Sequence, residues 1–185
     1  MQAILIRMAK RGYNIDTIRG GASDWDVSRP FTSYGRLLFT LLVHPVRFFE
    51  VLPRVPDPRA PGLFLQFCGV LAAVVWFFFG GLGAALFGLI VPLPISLALA
   101  AVYFVGTFGG RFGYAVTWRV VAYPLGFGLP LLAVPVLRWV AVAYFGVILM
   151  SIGLWKVREI GCVRSLAICT LVAAALILAY LGLFS

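Results

Sequence analysis

Charge is scarce in this sequence, and acidic charge is scarcest. Only 11% of the 185 residues are Asp, Glu, Lys or Arg, and only six of those are acidic. A soluble domain carries roughly a quarter. With 63% hydrophobic residues and a mean hydropathy of +1.05, a water-soluble globule would expose apolar patches far larger than water tolerates. Lipid is the solvent that fits. Histidine is nearly absent: His44 stands alone, and a headgroup or backbone hydrogen bond suits it better than metal ligation. The three cysteines, Cys68, Cys162 and Cys169, show no CxxC spacing and leave an odd count, so they read as small buried hydrophobes. Cys162 and Cys169 stand seven apart and share a helix face. No cleavable signal peptide is evident, because Arg7 and Lys10 interrupt the only early apolar run.

What is present is long uncharged stretches, and the charges between them serve as rulers. No ionisable Asp, Glu, Lys, Arg or His occurs in residues 60–110, a run of 51. As helix it would extend ~77 Å, against a hydrocarbon core of ~30 Å. The run must cross twice, and Pro92-Leu93-Pro94 is the expected turn. The first span, about 63–90, is long enough to tilt or to bend at Gly80-Gly81, and the second covers about 95–110. Three further runs give spans at about 114–137, 139–155 and 165–184, separated by Arg138 and by Lys156-Val157-Arg158-Glu159. Pro124, Pro130 and Pro135 are expected to kink or locally break the third span. The fold class is therefore all-α, a polytopic membrane helical bundle of five transmembrane helices.

Nine of the fifteen Lys and Arg precede residue 60. With the N-terminus in the cytoplasm, Arg111, Arg119, Lys156, Arg158 and Arg164 join them, and only Arg138 lies near the opposite face. This positive-inside bias accounts for the net charge of +9 without nucleic acid. It places the C-terminus on the periplasmic or lumenal side.

The chain before the first span divides in two. Residues 1–33 form a basic cytoplasmic tail. Residues 34–62 read as short interfacial amphipathic helices with Pro45 opening the second, followed by a proline-rich connector; the bundle proper is 63–185. Arg36 and Arg47 are expected to reach anionic headgroups. Trp118, Trp139 and Trp155 fall at span ends, where indoles anchor, and Arg119 near a cytoplasmic end is expected to snorkel outward.

No Asp, Glu, His or Lys falls inside a proposed span, although such groups mark transport paths and proton relays. Nor is there a nucleophile–base pair or metal cluster. No catalytic residue, metal, cofactor or small-molecule substrate is therefore expected. The positive signal is small residues: Gly80, Ala84 and Gly88 along the first span, Gly106 and Gly110 closing the second. Their spacing lets helices approach closely, within the chain more often than between chains.

From about Leu41 to Leu183 the layout resembles the Yip family of small five-span membrane proteins, named for binding Rab-type GTPases. The likeness rests on the proline-bounded lead-in His44-Pro45-Val46-Arg47-Phe48-Phe49-Glu50-Val51-Leu52-Pro53 and the glycine-rich first two spans. It continues in Thr117-Trp118-Arg119-Val120-Val121-Ala122-Tyr123-Pro124, then in the basic loop and final apolar helix. Eukaryotic members carry an acidic or polar tail; the short basic tail here fits a bacterial relative. The resemblance implies a non-enzymatic scaffold or membrane-organising protein acting through protein partners. An accessory subunit of a respiratory or photosynthetic complex, held by residues 1–33, is the alternative, because a glycine-containing tail needs a partner to order it. A small transporter ranks third.

Overall fold

The computed structural model describes residues 25–26, 28–54 and 58–184, and these form helices joined by short turns. In order they are α1 (Pro30–Val43), α2 (Pro45–Glu50), α3 (Arg59–Ile90), α4 (Pro92–Gly106), α5 (Tyr114–Leu132), α6 (Pro135–Arg158) and α7 (Cys162–Phe184). Within α6, Val142–Leu149 is wound as π-helix. Four helices are long and apolar enough to cross a membrane: α3, α5, α6 and α7 through Ala179. Large apolar side chains cover the outside, with Phe78, Val105, Phe108, Leu171 and Leu178 each more than two-thirds exposed. That is the skin of a membrane protein.

Helix α3 is not a straight rod. Gly81 interrupts it at φ 71°, ψ −164°, a region essentially confined to glycine. Beyond it the chain folds back. A Cβ on Gly69 would stand 3.3 Å from the Gly88 carbonyl, and one on Gly88 would stand 3.4 Å from the Ala73 Cα. The rings of Trp76 and Phe87 stack at 5.7 Å. In a straight helix Ala73 and Gly88 would be about 22 Å apart at 1.5 Å per residue. The reversal therefore lies at Gly80-Gly81, and not at Pro92-Leu93-Pro94 as the prolines suggest. At Val91 the backbone stays αR. Its N–H donates to the Phe87 carbonyl at 3.0 Å, and its own carbonyl accepts from Ile95 at 3.1 Å. Pro92 sits in the first turn of α4, where its missing N–H removes little, so 82–106 continues as one kinked helix.

Helix α5 is the hub. It is buried on all sides from Val116 to Leu129 except at Leu125, and it runs through Pro124 and Pro130 without ending. The break comes at Ala133-Val134, with Pro135 opening α6, so Arg138 lies in the first turn of α6 and not in a loop. Neighbouring helices reach α5 at glycines. A Cβ on Gly126 would stand 2.5 Å from Phe64 of α3, and one on Gly153 of α6 would stand 2.5 Å from Val120. Indole and phenol hydrogen bonds add fixed points: Trp76 Nε1 donates to the Leu129 carbonyl (3.0 Å), Trp118 Nε1 to Ser96 Oγ (2.9 Å) and Tyr114 to the Leu97 carbonyl (2.8 Å). Leu129 lies in the last turn of α5, where carbonyls lack intrahelical partners.

Helices α1 and α2 dock against this bundle. Asp26 accepts from the Ser28 N–H and hydroxyl at 2.9 and 2.7 Å, which holds its carboxyl below the usual range. Its own N–H donates to Ser33 Oγ, fixing the lead into α1. Trp25 then packs on Phe64 at 5.4 Å, Tyr34 on Phe127 at 5.0 Å, and Phe48 on Tyr123 at 5.6 Å. Residues 1–24, most of the basic tail, lie outside the described residues.

The hairpin predicts a cross-link. Val70 and Leu89 line the same small cavity between the arms, yet a straight helix would hold them about 28 Å apart. In a chain with Cys68, Cys162 and Cys169 replaced by Ala, Val70→Cys with Leu89→Cys should be bridged by a short bismaleimide within one chain. Failure to cross-link in the folded protein would contradict the reversal.

Candidate functional site

The bundle has a polar end and an apolar end. At the polar end, α4 and α6 finish with carbonyls that have no intrahelical partner, and cations reach them, as helix C-termini favour. Arg158 Nε donates to Thr107 Oγ1 at 3.2 Å and its NH2 group to the Thr107 carbonyl at 2.9 Å. The guanidinium also lies over the Phe104 ring at 4.9 Å. Arg164 donates to the Gly106 and Phe108 carbonyls at 3.3 and 3.1 Å. Glu159 takes a left-handed conformation at φ 55°, uncommon for a non-glycine residue. It thereby presents its carboxylate to Arg111 at 2.7 Å and Arg54 at 3.4 Å. Lys156 pairs with Glu50 of α2 at 2.9 Å. These contacts join α2, α4, α6 and α7 to one another and to Arg54 and Arg111 of the connecting segments.

The sequence-predicted anchors divide. Arg36 and Arg47 are exposed on the outer faces of α1 and α2, and Trp139 and Trp155 are also exposed. Trp118 and Arg119, expected at the membrane surface, turn inward instead, 6% and 1% exposed. Arg119 donates to the Pro53 carbonyl at 3.0 Å, tying the chain after α2 to α5. On the most enclosed helix, the Pro53 carbonyl is a buried acceptor within reach of this cation. The cysteine pair also separates: Cys169 is buried, whereas Cys162 is exposed in the first turn of α7.

The small residues pack within the chain. A Cβ on Gly80 would stand 2.7 Å from that of Ala84, Gly88 faces Ala73 and Trp76, and Gly106 faces Ile168 of α7. Gly110 makes room for Arg158, whose Nε would be 2.8 Å from a Cβ there.

At the apolar end, a cavity of about 770 Å³ lies among α3, α4, α5, α6 and α7. Its wall is almost wholly apolar. Trp76 and Phe79 contribute from α3, Pro124 and Gly128 from α5, and Phe145 and Gly146 from α6, with Arg138 and Trp139 at the α5–α6 turn. Three glycines, Gly80, Gly128 and Gly146, and the π-helical stretch of α6 are part of its wall; π-helix often marks functional sites. Among the described residues no three His, Cys, Asp or Glu side chains gather as metal ligands.

Comparison with protein-family models, curated proteins and solved structures gives no match to this chain. The site is therefore read from its own geometry. Sequence reasoning did not single out Arg158, Thr107 or the cavity. The spacing of Gly110 and the basic run 156–158 hinted at the first two, whereas the cavity depends on how five helices meet.

The Gly110–Arg158 contact predicts a differential effect. Gly110→Ala should lower stability in detergent by about 1–3 kcal/mol, as overpacking does. A Cβ at Gly113 would meet nothing within 4 Å, so Gly113→Ala should change stability by no more than about 0.5 kcal/mol. Equal losses in thermal or denaturant unfolding would refute the assignment.

Proposed function

We propose that the chain crosses the membrane five times and acts without enzymatic chemistry, as a scaffold or membrane-organising protein of Yip-like type working through protein partners. The crossings are 59–80, 82–106, α5, α6 and α7. The first two are 22 and 25 residues, about 33 and 37 Å as helix, each enough for a ~30 Å core. The N-terminus lies in the cytoplasm and the C-terminus on the periplasmic or lumenal side of a bacterial inner membrane.

The observation that carries this reading is the location of the ion pairs. Glu50, Arg54, Arg111, Lys156 and Glu159 meet at one end of the bundle, the end that the positive-inside bias assigns to the cytoplasm. Beside that end α2 docks through Glu50 and Lys156, with Arg47 directed to headgroups, and α1 leads into it with Phe31 and Phe39, 74% and 65% exposed, turned to lipid. Such a docked amphipathic layer acts on lipid packing and offers a surface to cytoplasmic proteins. The alternative, an accessory subunit of a larger membrane complex, has one feature in its favour: Trp25 packs against Phe64 and Phe67 of α3, which ties the chain to the bundle just where the tail that a partner would hold ends.

Purification in mild detergent separates the two. A scaffold should run alone or as a homomer, and stoichiometric co-migrating partners that protect residues 1–24 from protease would favour the subunit. A reporter fused after Ser185 should be inactive if it works only in the cytoplasm; activity there would overturn five crossings.

A further inference from the structure

We infer that α1 and α2 form a wedge seated inside the cytoplasmic leaflet, its outer face covered by acyl chains, so that the chain favours membranes convex on the cytoplasmic side. The inference rests on the membrane-organising reading and names the lipid surface through which it acts. Two helices serve as rulers for the depth. On α6, Lys156 pairs with Glu50 at the polar end, and a Cβ on Gly153 would stand 2.9 Å from Phe49. Farther along α6 the Tyr144 hydroxyl donates to the Leu42 carbonyl at 3.4 Å. Gly153 and Tyr144 are about 12 Å apart along the helix. On α5, Arg119 donates to the Pro53 carbonyl, Tyr123 meets Phe48, and Phe127 meets Tyr34. Arg119 and Phe127 are again about 12 Å apart along the helix. Tyr34 and Leu42, toward the two ends of α1, therefore lie at one depth, within half of the ~30 Å hydrocarbon core. Helix α1 runs across the bundle beneath the headgroups, and α2 leads from it back to the polar end.

That depth says what covers the outward face. Phe31, Phe39, Leu42 and Val43 are 74%, 65%, 42% and 50% exposed there. Polar groups of the segment are bonded internally, as lipid requires. Thr40 Oγ1 donates to the Arg36 carbonyl at 2.8 Å. Across the bend the His44 N–H donates to the Thr40 carbonyl and the Phe48 N–H to the His44 carbonyl, each at 2.9 Å. Arg36, exposed on the same face, has a stem long enough to carry its guanidinium toward the phosphates. The 14 residues of α1 form a cylinder about 21 Å long and about 10 Å wide, which adds roughly 200 Å² to the cytoplasmic leaflet. Among the described residues every helix other than α1 and α2 belongs to a proposed crossing, so the outer leaflet gains no counterpart.

The full chain, with its native cysteines replaced by Ala, should be reconstituted into vesicles of phosphatidylglycerol and phosphatidylcholine and carry a nitroxide at Gly35→Cys. Gly35 is exposed on α1, and a Cβ there would meet nothing within 4 Å. Gly161→Cys, equally open, reports the polar end. Leu171→Cys, 69% exposed, reports lipid about 13 Å along α7 from its start. Position 35 should match 171, relaxed by oxygen and shielded from an aqueous nickel chelate, whereas 161 is open to the chelate. Phe39→Cys repeats the reading should Gly35→Cys fail to fold. Chelate access at 35 equal to that at 161 would overturn the wedge. Shielding from both reagents would overturn it too, by putting a second copy of the chain on that face. Chelate access at 171 would instead sink the membrane reading itself. Curvature preference is read as the share of Gly161→Cys chains labelled by an impermeant maleimide in sealed vesicles. That share should rise from large vesicles to small ones, and the rise should be lost in Phe31→Ser with Phe39→Ser. A share independent of vesicle size, or a rise that survives the double variant, would overturn the preference.

Discussion

Lipid tails are as apolar as leucine, so a membrane bundle cannot rely on burying apolar surface from water and must gain its cohesion from close contact and hydrogen bonds. In this chain that requirement falls on α5. Its neighbours approach through positions where a side chain would not fit, Gly126 against Phe64 and Gly153 against Val120. Indole donors on α3 and α5 then fix helices to one another at Leu129 and Ser96. The docking of α1 and α2 depends on the same helix, because Tyr123 and Phe127 supply the rings on which Phe48 and Tyr34 rest.

The arginines serve two ends with one placement. In the proposed orientation these charges mark the cytoplasmic side, and the same groups reach carbonyls at helix C-termini that lack intrahelical partners. Arg158 and Arg164 do this for α4, and the Glu159 carboxylate joins Arg54 to Arg111. Arg138 lies away from that cluster, early in α6 and beside the apolar cavity.

Much of the fold could be read from charge alone. Arg111 marks the turn before α5, and the basic run at 156–158 ends α6 close to where the helix stops. Prolines misled more than they informed. Pro92 starts α4 without ending the helix before it, and Pro124 and Pro130 lie within α5, because surrounding helices support a rod that proline would break in isolation. The true reversal was carried by Gly81, which the sequence offered, at Gly80-Gly81, as a bend within the first span rather than as the turn between two. Trp118 and Arg119 were assigned to the surface by their position in the chain; their burial follows from α5 being central, which hydropathy does not reveal. The cavity was illegible for the same reason, since it exists only where five helices and a π-helical segment converge.

The placement of the first reversal decides how many times the chain crosses, and thiol accessibility tests it directly. In a chain with its native cysteines replaced, Gly83→Cys and Pro94→Cys would be probed from the outer side of intact spheroplasts with a membrane-impermeant maleimide. In the proposed five-crossing arrangement, a hairpin at Gly81 puts residue 83 at the outer surface and residue 94 about 16 Å deeper along the helix, within the hydrocarbon core. The account predicts labelling at 83 and none at 94; labelling at 94 with 83 protected would contradict it.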